Sequence, residues 1–159
     1  MPENNLDHNE DLVLRPMQAS DLNAVLSIER VVFEAPWTRQ IFEDELLINE
    51  RTSCLVACLS GEIVGYYSAW HLVGESALNN LAVAPAYRRQ GIGARLLSDF
   101  LQASFSKGAE ECFLEVAVNN EAALHLYRKF GFAVLSIRKN YYASLGLDAY
   151  IMRKKKEES

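Results

Sequence analysis

The sequence predicts a single α/β (α+β) domain built on one mixed sheet. Three observations carry that expectation. A length of 159 residues suits one domain with a proper core. The chain has no internal repeat and no linker-like stretch. A strand and two helices lead into an antiparallel meander, and a β-α-β-α-β-β run follows.

Residues 1–11 are polar and read as a flexible N-terminal tail, leaving 12–153 as the domain proper. "LVLRPM" (12–17) reads as a short strand. Ser20 stands where an N-cap would, with Asp21 in the first turn and Leu22, Val25, Leu26, Ile28 and Val32 at helical spacing. "EAPWT" then breaks the chain, and Thr38 caps a second helix over about 39–49. The runs "SCLVACL" (53–59) and "IVGYYSAWHL" (63–72) read as strands, with Ser60-Gly61-Glu62 between them as a hairpin signal. A further strand, "SALNNLAVA" (76–84), precedes a helix over 91–106. The strand "CFLEVAV" (112–118) and a helix over 120–130 ending at Gly131 come next. Two last strands lie near 132–138 and 148–153, and 154–159 form a charged tail.

Composition narrows the class. Half the residues are apolar and 23% are charged, as in soluble globular proteins. A net charge of -5 gives no push toward nucleic acid or an anionic membrane, and it tolerates a basic polypeptide as partner. Cys54, Cys58 and Cys112 make no disulfide framework, and no histidine cluster stands near them to suggest a metal. They read as small buried hydrophobes in strands. The start has neither the basic flank nor the apolar stretch of a signal peptide, and no apolar run approaches a bilayer span. The expectation is a soluble, cytoplasmic protein without a metal.

The most specific stretch is "PAYRRQGIGARLL" (85–97). Gly91 and Gly93 sit in the first turn of a strong amphipathic helix, although glycine costs about 1 kcal/mol against alanine in a helix interior. Neither standard phosphate-binding glycine pattern fits. The ingredients of an anion site are nonetheless present: a strand end, a turn, bare backbone and a helix N-terminus, with Arg88 and Arg89 beside it. Spacing alone leaves a plain tight turn equally open.

The pattern Arg88-x-x-Gly91-x-Gly93, directly after "NNLAVAPAY", resembles the acetyl-CoA signature of the GCN5-related N-acetyltransferases. The resemblance implies their fold: a central mixed, mostly antiparallel sheet of six to seven strands with about four helices. It implies that Arg88, Arg89, Gln90, Gly91, Ile92, Gly93 and Ala94 hold the pyrophosphate of coenzyme A. Leu81, Ala82 and Val83 would pair their backbone with the pantetheine arm on a strand that splays from the next. "FLEVAVNNEAALHLYRKFGF", "IRKNYY" and the "APWT" segment at 35–38 further resemble the RimI-type subfamily. Those enzymes acetylate the N-terminal alanine of ribosomal protein eighteen of the small subunit, which implies a protein N-terminus as substrate.

Acetyl transfer from a thioester needs a neutral amine, removal of its proton, and protonation of the departing thiolate. An α-amine has a pKa near 8 and lysine one near 10.4, so their neutral fractions at pH 7 differ by about 250-fold. An N-terminal amine therefore needs only a modest base. Glu115 lies in an apolar strand, where partial burial would raise its pKa, or it simply faces solvent. By its matching position the resemblance implies that Glu115 is the base. Tyr127 reads from sequence as a buried structural tyrosine, and the resemblance makes it the proton donor to the thiolate. Asn120 caps its helix, and the resemblance adds a hydrogen bond to the coenzyme.

Trp37, Tyr141 and Tyr142 would wall the incoming peptide terminus, the alternative being core or loop packing. Glu75, just before the fourth strand, would attract a basic peptide or lie solvated. A backbone N–H near Val83 would polarise the thioester oxygen, and no covalent cysteine intermediate is called for. One departure stands out: in "NYYASLGLDAY" the loop is shorter than the subfamily's and Leu147 occupies the position of its glutamate, which bears on peptide selectivity. Two other readings stay open. One is an acetyltransferase for lysine or a small amine. The other is an acyl-CoA-binding module without turnover, against which stand the matched Glu115 and Tyr127.

Overall fold

The computed structural model describes residues 11–47, 51–142 and 145–157. The chain runs β1 (Leu12–Pro16), α1 (Leu22–Val32), α2 (Arg39–Leu47), β2 (Thr52–Leu59), β3 (Glu62–Leu72) and β4 (Glu75–Val83). It continues with α3 (Ile92–Ser106), β5 (Glu111–Ala117), α4 (Glu121–Lys129), β6 (Ala133–Tyr142) and β7 (Leu147–Lys155). The strands form one sheet in the order β1-β2-β3-β4-β5-β7-β6. Every neighbouring pair is antiparallel except β4 and β5. That exception follows from the connection: α3 carries the chain over the sheet, and such a crossover returns a strand parallel to the first.

Local chemistry accounts for most of the boundaries. Ser60 and Gly61 both take left-handed backbone angles, φ 51° and 82°, as a two-residue turn between β2 and β3 requires. Thr38 Oγ1 accepts the Ile41 N–H at 3.3 Å, capping α2. Ser20 does not cap α1. It falls inside a 3-10 turn (Ala19–Asp21), and Asp21 organises the entry instead. The Asp21 carboxylate accepts both Arg15 guanidinium nitrogens at 2.8 Å and the Gln18 N–H at 2.8 Å, contacts that hold its pKa below the usual range. β7 continues through Lys155, two residues past the expected strand end, and β6 reaches Tyr142. The expected tail over 1–11, save Asp11, lies outside the described residues, as do residues 48–49 of the expected second helix and residues 158–159.

The sheet is packed on both faces. Leu96, Leu97 and Phe100 of α3 and Leu124 of α4 meet Tyr67, Leu78, Leu114 and Met152 on one side. Leu22, Val25 and Leu26 of α1 and Phe42 of α2 meet Val56, Tyr66 and Ala82 on the other. Adjacent Tyr66 and Tyr67 thus serve opposite cores, as strand alternation dictates. Cys58 and Cys112 are buried and Cys54 half-buried, all three in strands. No described helix is long and apolar enough to cross a membrane.

Candidate active site

The site begins where two strands part. β4 and β5 pair only from Glu75–Glu111 to Leu78–Leu114. Beyond that point β5 stays paired to β7 and β4 to β3, so the facing edges of β4 and β5 diverge. A register shift in the β3–β4 ladder between Ser68 and Ala69 leaves Asn79 as the extra residue, a bulge at the apex of the gap. The resulting cleft, about 1050 Å3, is walled by Asn79–Val83 of β4, Phe113–Ala117 of β5, the N-terminus of α3 and residues of α4.

One end of the cleft is built for an anion. Arg89 and Gly91 both adopt left-handed backbone angles, φ 66° and 81°, so the chain turns sharply into α3. Such angles are cheap for glycine and costly for arginine, which marks Arg89 as a strained position. Gly91 is the N-cap residue and has no side chain to offer the helix, so the first-turn N–H groups stay uncapped by it. A Cβ on Gly93 would sit 3.4 Å from Leu126 Cδ2 and 3.7 Å from Val83 Cγ2, ordinary contact distances. Arg88, Arg89, Gly91, Ile92, Gly93 and Ala94 all line the cleft, and Gln90 does not.

Leu81, Ala82 and Val83 line the middle. Their backbone pairs with β3 on one side only, leaving the β5-facing edge without a strand partner. An extended amide-bearing chain fits such an edge, since it supplies the missing donors and acceptors. Pantetheine is a chain of this kind, and a pyrophosphate would fall at the α3 N-terminus. The residues present therefore fit coenzyme A. Asn120 Oδ1 accepts the Ala123 N–H at 3.2 Å, so it caps α4 as expected while also lining the cleft.

The other end gathers acidic and aromatic groups. Glu115 lines the cleft but is part-exposed, with 31% of its side chain accessible, and its Oε1 lies 3.1 Å from Arg138 Nη1. Glu115 is thus half-buried, between the two readings its strand left open, and an arginine from β6 meets it at the cleft surface. The Arg138 guanidinium lies 4.7 Å from the centre of the Tyr141 ring, within cation–π range. Tyr127 is buried and packs edge-on against Phe132, at the inner wall of the cleft. Trp37 also lines the cleft, tilted against Phe42 at 5.2 Å between ring centres.

Besides Gln90, one expected site residue stands away from the cleft, and a second is described only in its backbone. Glu75 lies at the β3–β4 hairpin, opposite Leu72, at the paired end of β4 rather than the diverging one. The backbone of Tyr142 pairs with Leu147, while its side chain lies outside the described residues. Leu147 itself lines the cleft.

A group that sequence reasoning missed sits beneath the aromatic wall. Glu29, 1% exposed, accepts the Trp37 N–H at 2.8 Å, the Asn80 amide at 2.7 Å and the Tyr66 hydroxyl. It ties the α1–α2 connection to β3 and β4 at the cleft floor. Burial pushes its pKa up, and the three donors oppose that shift. The signal was available: Glu29 follows Val25 by four residues and Leu26 by three, so it falls on the apolar stripe of α1.

Residues 22–132 match the sequence profile of the acetyltransferase (GNAT) family. A Bacillus subtilis protein provisionally named ribosomal protein bS18-alanine N-acetyltransferase is 38% identical over 139 residues, spanning 87% of this chain and 92% of its own. The crystal structure of the Escherichia coli enzyme of that activity superposes with a TM-score of 0.83 at 30% identity, covering 93% of this chain and 96% of that one. Naa50 of Arabidopsis thaliana, solved with the bisubstrate analogue CoA-Ac-MVNAL, gives a TM-score of 0.79 at 25% identity, covering 92% and 99%.

Proposed function

We infer that this chain, which belongs to the acetyltransferase (GNAT) family, transfers acetyl from acetyl-CoA to the α-amine of a protein N-terminus. Its favoured substrate is the N-terminal alanine of ribosomal protein bS18, the activity named for its B. subtilis and E. coli relatives. A cytoplasmic site of action follows from that substrate. The observation that carries the reading is the two-ended cleft: an uncapped helix N-terminus with two arginines at one end, a carboxylate among aromatic side chains at the other. A free strand edge joins the two.

Each group then has a task. Arg88, Arg89 and the α3 N-terminus neutralise and orient a pyrophosphate, and the β4 edge at Leu81–Val83 aligns the pantetheine amides. Trp37 and Tyr141 flank the incoming chain end. Glu115, directly or through water, takes the proton from the amine as its nitrogen bonds to the thioester carbonyl carbon. A β4 backbone N–H near Val83 stabilises the oxygen that becomes negative. As the C–S bond breaks, the Tyr127 hydroxyl gives its proton to the leaving sulfur. The products are the acetylated N-terminus and the coenzyme thiol. Solvent returns the proton from Glu115 to the tyrosine.

The test is incubation with acetyl-CoA and peptides that differ only at the N-terminal residue, each with one internal lysine, followed by mass mapping of the acetyl group. Acetyl on the α-amine, fastest for the bS18 N-terminal sequence, is the expected result. Acetyl confined to the lysine side chain overturns the reading.

A further inference from the structure

Glu115 and Arg138 form an ion pair at the acceptor end of the cleft, with 31% and 57% of their side chains exposed. A pair so accessible adds little to stability. Its position gives it another consequence. Among the described cleft-lining residues, Arg138 is the only lysine or arginine apart from Arg88 and Arg89 of the anion loop. It therefore sets a positive charge where the acceptor amine has to arrive.

An amine reaches the enzyme mostly as an ammonium ion, itself a cation seeking a carboxylate. Glu115 already has a cation, and that cation also lies over the Tyr141 ring, 4.7 Å from its centre. We infer that Arg138 is a specificity-determining residue that excludes ammonium ions from Glu115 and admits amines that have shed their proton. The inference rests on the reading of Glu115 as proton acceptor. A nearby positive charge makes an amine surrender its proton more readily. The exclusion falls hardest on lysine, whose neutral fraction at pH 7 is about 250-fold below that of an α-amine. Arg138 thus favours chain termini over side chains through charge, independently of groove shape.

Other titratable groups share the cleft. Among the described residues, besides Tyr87, Arg88 and Arg89 of the anion loop, they are Glu29 and Glu34 from α1 and the turn after it, His125 and Tyr127 from α4, and Tyr141. β4 and β7 place none there. Among the described residues, Arg138 is thus the one lysine or arginine set against the carboxylates at the acceptor end.

The test compares the wild-type enzyme with R138Q and R138K on an alanine-terminated peptide, measuring kcat and KM across about pH 6 to 9, the interval where an α-amine titrates. In R138Q the rising limb of the kcat profile moves up by about one pH unit, as expected for loss of one charge some ångströms away in a partly solvated site. At pH 7, kcat falls about tenfold while the peptide KM does not rise. R138K, which keeps the charge, returns the limb toward wild type. Coenzyme A binding at wild-type affinity certifies that R138Q is folded. A limb that stays in place in R138Q overturns the inference, as does an equal displacement in both variants. A wild-type enzyme that acetylates no N-terminal amine overturns the parent reading instead.

Discussion

The Asp148 carboxylate accepts the backbone N–H of Asn140 at 2.9 Å. Asn140 has a left-handed φ of 53°, and its neighbour Lys139 places its ammonium 3.4 Å from the other Asp148 oxygen. One side chain of β7 thus fixes the kink that turns β6 just before Tyr141.

Removing that carboxylate should disturb the acceptor wall and leave the donor end alone. Asp148→Ala should raise the peptide KM several-fold without changing coenzyme A affinity, read by steady-state kinetics and calorimetry. Both contacts favour the ionised carboxyl and hold its pKa below the ordinary value. Its contribution to stability is therefore present above the ordinary carboxylate range and disappears as pH falls through the lowered folded value. The wild-type advantage over the variant in urea unfolding should shrink only in acid.

Glu29 is a different kind of support. Glu29→Ala would leave the Trp37 N–H, the Asn80 amide and the Tyr66 hydroxyl without their acceptor, at about 1 kcal/mol or more for each donor left dry. The expected loss is about 3 kcal/mol, or roughly 6–12 °C in Tm for a chain of this length. Because burial raises the folded pKa, the native chain binds that proton more tightly than the unfolded one. This contribution to stability is present in acid and is lost as pH rises from the ordinary carboxylate value through the raised one. Glu29→Gln should lack that slope.

The two glycines of the anion loop separate cleanly. Gly91→Ala forces an alanine to φ 81°, costing about 1 kcal/mol, and shifts the N–H groups beside it. Its KM for acetyl-CoA should rise at least several-fold. Gly93→Ala meets only ordinary contacts at 3.4 and 3.7 Å and should keep both stability and coenzyme affinity near wild type. Thermal shift with and without coenzyme A reads both.

Glu115→Gln and Tyr127→Phe test the chemistry. Each should lower kcat by about a hundredfold or more, the usual worth of a positioned acid or base, with coenzyme A binding intact. Tyr127→Phe keeps the ring that packs on Phe132, so its loss would report the hydroxyl alone. If both variants turn over normally, the assigned roles are wrong.

What the sequence made legible was local. The Ser60–Gly61 turn, the Thr38 cap, the Asn120 cap and the glycine pair announce themselves within a few residues. The misplaced features depended on distant partners. Ser20 looks like a cap until Arg15 and Gln18 converge on Asp21. Glu115 is half-covered, and its strand alone could not say by what: the partner it meets at the cleft surface, Arg138, lies 23 residues away. Glu75 precedes the right strand but stands at its wrong end, since the cleft opens only beyond Leu78. Tertiary pairing decides such questions, and a single strand or helix carries no record of it.

In the described sheet, the ladder that joins the β1–β4 half to the β5–β7 half is four residue pairs long. Past them the protein forgoes backbone hydrogen bonds that its own chain never makes. A donor molecule that lies along β4 would act as a temporary eighth strand, knitting the two halves together through amides rather than side chains. Turnover would then alternate between a completed sheet and a parted one. Such a grip on the donor's arm would be written in the backbone, where exchange of one apolar side chain for another leaves it unaltered.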